Sequence, residues 1–162
     1  MEENHGKMRT AARHLLSLIG STLQGRRLLL VEDNDLNAEI AATILEGDGA
    51  YVSIAGDGAQ AVEAFAANPA GTFDAILMDV VMPKMDGLAA TKAIRALDRP
   101  DAATIPIIAM TGNAFHEDVQ ECLEAGMNAH MAKPIDMAKA ERVIAKVVGE
   151  GPPPIKELEI DQ

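Results

Sequence analysis

Asp74-Ala75-Ile76-Leu77-Met78-Asp79-Val80-Val81-Met82-Pro83-Lys84-Met85-Asp86-Gly87 is an apolar run that stops on a carboxylate and breaks at once into a turn. Ala75 to Met78 reads as a buried strand ending at Asp79. Pro83 fixes φ in the turn, and Asp86-Gly87 starts the next helix. In an open α/β sheet, ligands bind outside the carboxyl ends of the strands. A carboxylate buried there without a partner would cost several kcal/mol. Asp79 is therefore a candidate site residue rather than filler.

On either side the chain alternates strand-like and helix-like segments. Leu28 to Val31 is an apolar run ending in Glu32-Asp33. Asp35 to Leu45 has helical spacing through Leu36, Ile40, Ile44 and Leu45, and Gly47 and Gly49 end it. Tyr51 to Ala55 is β-rich, and a helix follows from about Ala59 to Ala67, closed by Asn68-Pro69. After the Asp79 strand come a helix from Leu88 to Leu97 and a strand from Ile105 to Met110, which ends at Thr111-Gly112. A helix from Phe115 to Ala125, a short strand from Ala129 to Ala132 and a helix from Asp136 to Val148 complete the series. Strands separated by helices imply right-handed crossovers and a parallel sheet covered on both faces. The expected class is α/β, a doubly wound five-stranded parallel sheet of order 2-1-3-4-5 with a flavodoxin-like layout and an extra N-terminal helix.

Three regions are expected: an amphipathic helix or linker over 1–25, a globular domain over 26–149, and a Pro-rich acidic tail over 150–162. The first carries Met8, Ala11, Ala12, Leu15, Leu16, Leu18 and Ile19 at roughly helical spacing. With 162 residues, 48% hydrophobic and 24% charged, the chain suits one soluble domain with short extensions. A net charge of −11 argues against a nucleic-acid partner, because phosphate contacts need clustered Lys and Arg. No apolar run approaches the roughly 20 residues that span a bilayer, so no membrane insertion is expected. The start, MEENHGKMRTAARHLLSLIGS, is a poor signal peptide, since it opens acidic and Arg13 and His14 interrupt its apolar part. The single cysteine, Cys122, excludes an internal disulfide and reads as a packing residue. A cytoplasmic location is expected.

In the 2-1-3-4-5 order, strands one and three are neighbours at the topological switch point. Glu32, Asp33 and Asp79 then meet at one edge, where like charges raise one another's pKa. A hard divalent cation resolves that conflict, and oxygen-only ligands favour Mg²⁺. Thr111 ends strand four, and Lys133-Pro134 follows strand five. Carboxylates, a hydroxyl and an ammonium around a metal suit a phosphoryl group, whose oxygens divide among them. Asp79 can then serve as the nucleophile that becomes an acyl phosphate. Taken singly, each residue has a plainer use: Glu32-Asp33 as a helix start, Thr111 as a strand-end hydroxyl, Lys133 as a surface lysine. The argument rests on their joint placement at strand ends.

At these residues the sequence resembles the receiver domain of two-component response regulators, from about Arg27 to Val148, through LLLVEDN, ILMDVVMPKMDG, IIAMTGNA and HMAKPI. The resemblance implies that Asp79 is the phosphoacceptor and that Asp33 and Asp79 bind Mg²⁺ directly. It implies further that Glu32 helps through water and that the main-chain carbonyl of Val81 completes the protein ligands. Thr111 and Lys133 would hold the phosphoryl group, with Lys133-Pro134 a cis peptide. Implied partners are a histidine kinase or a histidine phosphotransfer protein, with output through the face of the fourth helix, fifth strand and fifth helix. VEDN followed by LNAEIAATIL resembles receivers of hybrid histidine kinases, and STLQGRRLLLVEDN resembles the junction after a kinase catalytic domain. With no output domain after the last helix, output is expected to be protein contact. The N-terminal helix could pack on the receiver, mediate a homodimer or be a linker.

One position departs from the family. The switch residue three before the lysine is usually Tyr or Phe, and here it is His130. An imidazole is smaller, polar and titrates near neutrality, so the Thr111–His130 switch is expected to be weaker or pH-sensitive. Val81 and Asn113 stand two residues after Asp79 and Thr111, where the family tunes water access. Apolar Val81 implies slow to moderate self-hydrolysis. His14 lacks the neighbours of a phosphohistidine box and reads as a helix-surface residue. A different class, a Mg²⁺-dependent phosphatase of the haloacid-dehalogenase type, also uses a strand-end aspartate nucleophile. It wants a second aspartate at the position of Val81. The chain is therefore expected to be a phosphoacceptor domain rather than an enzyme in the usual sense.

Overall fold

The computed structural model describes residues 23–82, 85–112 and 116–148, with side chains of 116–118 excluded. Ten elements alternate: β1 (Arg27–Val31), α1 (Asp35–Gly47), β2 (Tyr51–Ala55), α2 (Gly58–Ala67), β3 (Ala75–Asp79), α3 (Gly87–Arg95), β4 (Ile107–Thr111), α4 (His116–Ala125), β5 (Ala129–Ala132) and α5 (Met137–Val148). The strands are all parallel and lie in the order β2-β1-β3-β4-β5, as expected. The N-terminal helix, His14, Asn113, Phe115 and the tail lie outside the described residues.

Alternation along the strands divides the core in two. Leu29, Val31, Ile76, Met78, Ile107 and Ala109 pack with Ala61 and Phe65 of α2, Ala90 and Ile94 of α3, and Cys122 of α4. Leu28, Leu30, Ala75, Leu77, Ile108 and Met110 face Ala41, Ala42 and Leu45 of α1 and Ala140 and Ile144 of α5. Period-two side-chain alternation sends successive residues to opposite faces, and both faces are covered, so the central strands read as unbroken apolar runs. With few aromatics, Leu, Ile, Met and Ala carry the packing. Cys122 is buried among them, as its reading implied.

Side-chain caps set the helix starts. Asn34 Oδ1 accepts from Asn37 N at 2.9 Å, Asp57 Oδ1 from Gln60 N at 2.8 Å, and Asp86 Oδ1 from Ala89 N at 2.8 Å. Each satisfies an otherwise orphaned donor. α3 ends two residues earlier than its apolar pattern suggests, at Arg95. There the Arg95 guanidinium donates to the carbonyls of Gly126 and Ala102 and to Asn128 Oδ1, tying α3 to the turn that leads into β5.

The stripe expected on α1 needs correction. Leu36 is 65% exposed and Ile40 51% exposed, whereas Ala38, Ala41, Ala42 and Leu45 are buried. Alanines let the helix lie close on the sheet, and Leu36 and Ile40 are left on its outer face. β4 also starts later than expected, at Ile107. Ile105 instead closes a turn by donating to the Asp101 carbonyl at 2.9 Å. β4 extends through Thr111 and β3 through Asp79, so both site residues are the last of their strands.

Candidate functional site

The carboxyl edge of the sheet gathers four strand ends. Glu32 and Asp33 follow β1, Asp79 ends β3, Thr111 ends β4, and Lys133 follows β5. Carboxylate oxygens of Glu32, Asp33 and Asp79 lie within 4.8 Å of one another, and among the described residues this is the acidic group able to hold a metal ion. Glu32 and Asp79 are buried, while Asp33 is exposed. Lys133 Nζ stands 2.9 Å from Asp79 Oδ2 and 3.1 Å from Glu32 Oε2. Its backbone N–H donates to the Thr111 carbonyl at 2.8 Å, and the Lys133–Pro134 peptide is cis.

Electrostatics follow from burial and crowding. Burial, reinforced by the neighbouring Glu32, pushes the Asp79 carboxyl up to about 7, although Lys133 opposes the rise. Burial also acts upward on Glu32, but hydrogen bonds with Asp79 and Lys133 outweigh it and hold Glu32 below the ordinary value. Lys133 is desolvated, yet its two carboxylate partners raise it and keep it an ammonium. Asp79 and Glu32 thus share excess negative charge that a divalent cation would neutralise. An all-oxygen donor set of this kind fits a hard cation.

Two further features stand at the same strand ends. Thr111 Oγ1 is buried and has no hydrogen-bond partner among the described residues. A buried hydroxyl in that state is costly, and an oxygen-rich ligand at the strand ends would satisfy it. Val81 is 80% exposed, while its N–H donates to Asp79 Oδ1 at 3.3 Å. His130 sits on β5 in register with Ala109, exposed to solvent.

One surface feature is absent from the sequence reading. A cavity of about 300 Å³ adjoins the site, lined by Ile40, Ile44, Asn37, Glu32, Lys133 and Ile135 among others. Ile40 lines it from α1, where it forms an exposed ridge with Leu36, four residues before it on the same helix. Their helical spacing pointed to the core, so no signal in the sequence separates this ridge from a buried stripe.

A parallel sheet of this order carrying these strand-end residues defines a phosphorelay-type receiver, and the comparisons agree. The chain belongs to the response regulator receiver domain family, whose model matches residues 28–145. It is 38% identical over 145 aligned residues to "Histidine kinase 1" of Arabidopsis thaliana, covering 71% of this chain and 12% of that protein. It is 37% identical to "Hybrid signal transduction histidine kinase I" of Dictyostelium discoideum, covering 75% of this chain and 7% of that protein. The chain therefore spans only a small part of these relatives. Among solved structures, a receiver domain of a sensor histidine kinase from Pseudomonas aeruginosa, with magnesium coordinated in its active-site cleft, aligns with a TM-score of 0.68 and 40% identity, covering 76% of this chain and 98% of that one. The Saccharomyces cerevisiae receiver of Ssk1, crystallised with the histidine phosphotransfer protein Ypd1, aligns with a TM-score of 0.69 and 26% identity, covering 77% and 90%. This family assignment decides against the haloacid-dehalogenase alternative. The chain is a receiver domain of two-component or phosphorelay signalling. No helix among the described residues is long and apolar enough to cross a membrane.

Proposed function

We propose that Asp79 is the phosphoacceptor of this receiver, taking its phosphoryl group from a phosphohistidine of a sensor kinase or phosphotransfer protein in a Mg²⁺-dependent reaction. The observation that carries this reading is the placement of buried Asp79 between two acidic neighbours and the Lys133 ammonium. Asp33 and Asp79 would hold Mg²⁺ directly, Glu32 through water, and Val81 through its main-chain carbonyl. The magnesium seen in the Pseudomonas relative supports that choice of ion. When bound, the ion supplies positive charge to the phosphoryl oxygens.

An Asp79 carboxylate oxygen attacks phosphorus, and the bond from phosphorus to the donor imidazole nitrogen breaks with its electron pair going to nitrogen. Lys133 binds one phosphoryl oxygen and keeps its charge throughout. The Thr111 hydroxyl donates to another, gaining the partner it otherwise lacks. The site thus holds and loses a phosphoryl group without turnover of a separate substrate. Exposed, apolar Val81 orients no water, which supports slow to moderate self-hydrolysis.

The donor docks on the α1 ridge of Leu36 and Ile40, beside the cavity that opens toward Lys133. A phosphotransfer protein bound to a receiver of the same fold supports this choice of partner. Output passes through α4, β5 and α5, where a groove of about 270 Å³ is lined by Val119, Leu123, His130 and Val143 among others. Thr111 and His130 are the switch pair of this reading. The receiver unit is taken as 26–149, with the N-terminal helix and the tail as extensions, the former also able to support a homodimer. A cytoplasmic location fits a sequence whose single cysteine, Cys122, leaves no internal disulfide to form.

Beryllofluoride with Mg²⁺, compared between wild type and Asp79→Asn, tests the reading. Spectral change in the wild type and none in the variant is expected. No change in the wild type would sink it.

A further inference from the structure

The loop that follows Asp79 is gripped from outside the site. Gly58, the first residue of α2, is buried against the backbone of Met85: a Cβ there would collide with the Met85 carbonyl oxygen and come within 3.0 Å of its carbon and Cβ. Two residues on, Gly87 is equally tight. Its Cβ would collide with the Asp79 carbonyl oxygen and lie 2.9 Å from Val80 Cα. The Gly87 N–H meanwhile donates to the Val80 carbonyl at 3.0 Å. Met85–Gly87 is therefore a wedge between the first turn of α2 and the strand end that bears Asp79. The tightest contact on both sides is with backbone, which cannot swing aside as a side chain can.

We propose that Gly58 is a positioning residue for the acceptor site, with the first turn of α2 setting the placement of Asp79 and Val81 through Met85 and Gly87. The proposal rests on the reading of Asp79 as a Mg²⁺-binding acceptor. A methyl at position 58 drives the wedge toward Asp79, where no space remains to absorb it. Gly56 in the same turn provides the control: a Cβ there meets only the Gln60 side-chain amide, its oxygen at 3.2 Å, and no backbone. The grip depends equally on the α2 cap, where Asp57 Oδ1 accepts from Gln60 N at 2.8 Å.

The test is amide NMR of the metal-free full chain followed by Mg²⁺ titration of wild type, Gly58→Ala and Gly56→Ala. Gly58→Ala is expected to shift the Asp79, Val80 and Gly87 resonances and to weaken Mg²⁺ binding about tenfold, the range for losing support behind a metal ligand. Gly56→Ala is expected to do neither. Unmoved resonances, or an affinity equal to wild type, would overturn the proposal. If Gly58→Ala does not fold, Asp57→Ala and Asp57→Asn replace it. Both remove the same charge, but only Asn retains the cap, so weaker binding by the Ala variant supports the proposal and equal binding refutes it. Wild type that binds no Mg²⁺ would be a failure of the functional reading instead. The metal-free resonances then decide this inference alone: shifted at Asp79 it stands, unmoved it falls.

Discussion

Lys133 Nζ lies 2.9 Å from Asp79 Oδ2 and bridges to Glu32 Oε2 at 3.1 Å, so one ammonium occupies the space between two carboxylates from different strands. This pairing offsets part of the repulsion that the strand ends create. A metal ion held by these carboxylates would compete with it for the same oxygens.

Lys133→Met should therefore have two opposite effects. Mg²⁺ binding should tighten, because the competing cation is gone. Phosphoryl transfer from a small donor should fall by about 10²-fold, the scale for losing one charged group aimed at transition-state oxygens. Metal titration and phosphorylation rates on the same variant check both signs. A variant that binds Mg²⁺ more weakly would contradict the competition.

The raised Asp79 pKa gives a pH dependence with a definite sign. Its folded-state value, about 7, stands above the ordinary 3.8. The favourable term is thus fully present below the ordinary value and is lost as pH rises through about 7. Metal-free wild type should lose thermal stability relative to Asp79→Asn between pH 5 and pH 8, and Mg²⁺ should restore it most at the higher pH. Melting curves of both proteins at the two pH values, with and without Mg²⁺, measure this. A gap that does not widen with pH would count against a protonated Asp79.

Thr111→Val separates stability from function. The Thr111 hydroxyl is buried without a partner among the described residues, so its removal should leave stability unchanged or raise it by about 1 kcal/mol. The same change should weaken the response to beryllofluoride. Urea melts and fluoride-complex titrations together give the comparison, and a large loss of stability would place a partner on Thr111 in the resting state.

Ile40→Asp and Leu36→Asp probe docking. Both residues are more exposed than buried, so the folded state should change by no more than about 0.5 kcal/mol. Transfer from a phosphohistidine protein should slow at least about tenfold, an effect the size of one lost apolar anchor. Transfer from a small phosphodonor should be unaffected, and equal slowing with both donors would remove α1 from the interface.

His130→Tyr tests the switch. Phosphomimic-induced shifts across α4 and α5 should be larger in the variant and the same at pH 6 and pH 8. In the wild type they should be smaller or pH-dependent. Large, pH-independent shifts in the wild type would eliminate a special role for His130.

The order of elements, the parallel sheet and the strand-end residues were all legible in the chain, because they depend on local signals. Apolar runs of strand length, helix starts such as Asp86-Gly87, and carboxylates set directly after apolar runs need no distant partner to be recognised. Ala129–Ala132 was even bounded correctly, since Asn128 and Lys133-Pro134 punctuate it on both sides. The outward face of α1 was not legible. Leu36 and Ile40 have the spacing of a core stripe, and only the close approach of Ala38, Ala41 and Ala42 to the sheet turns them to solvent. Which carboxylate takes up the raised proton affinity, Asp79 and not Glu32, and the lost slack around Gly58 and Gly87 belong to the same category. Each arises where segments far apart in the chain meet at backbone or charge contact, a distance that no local pattern encodes.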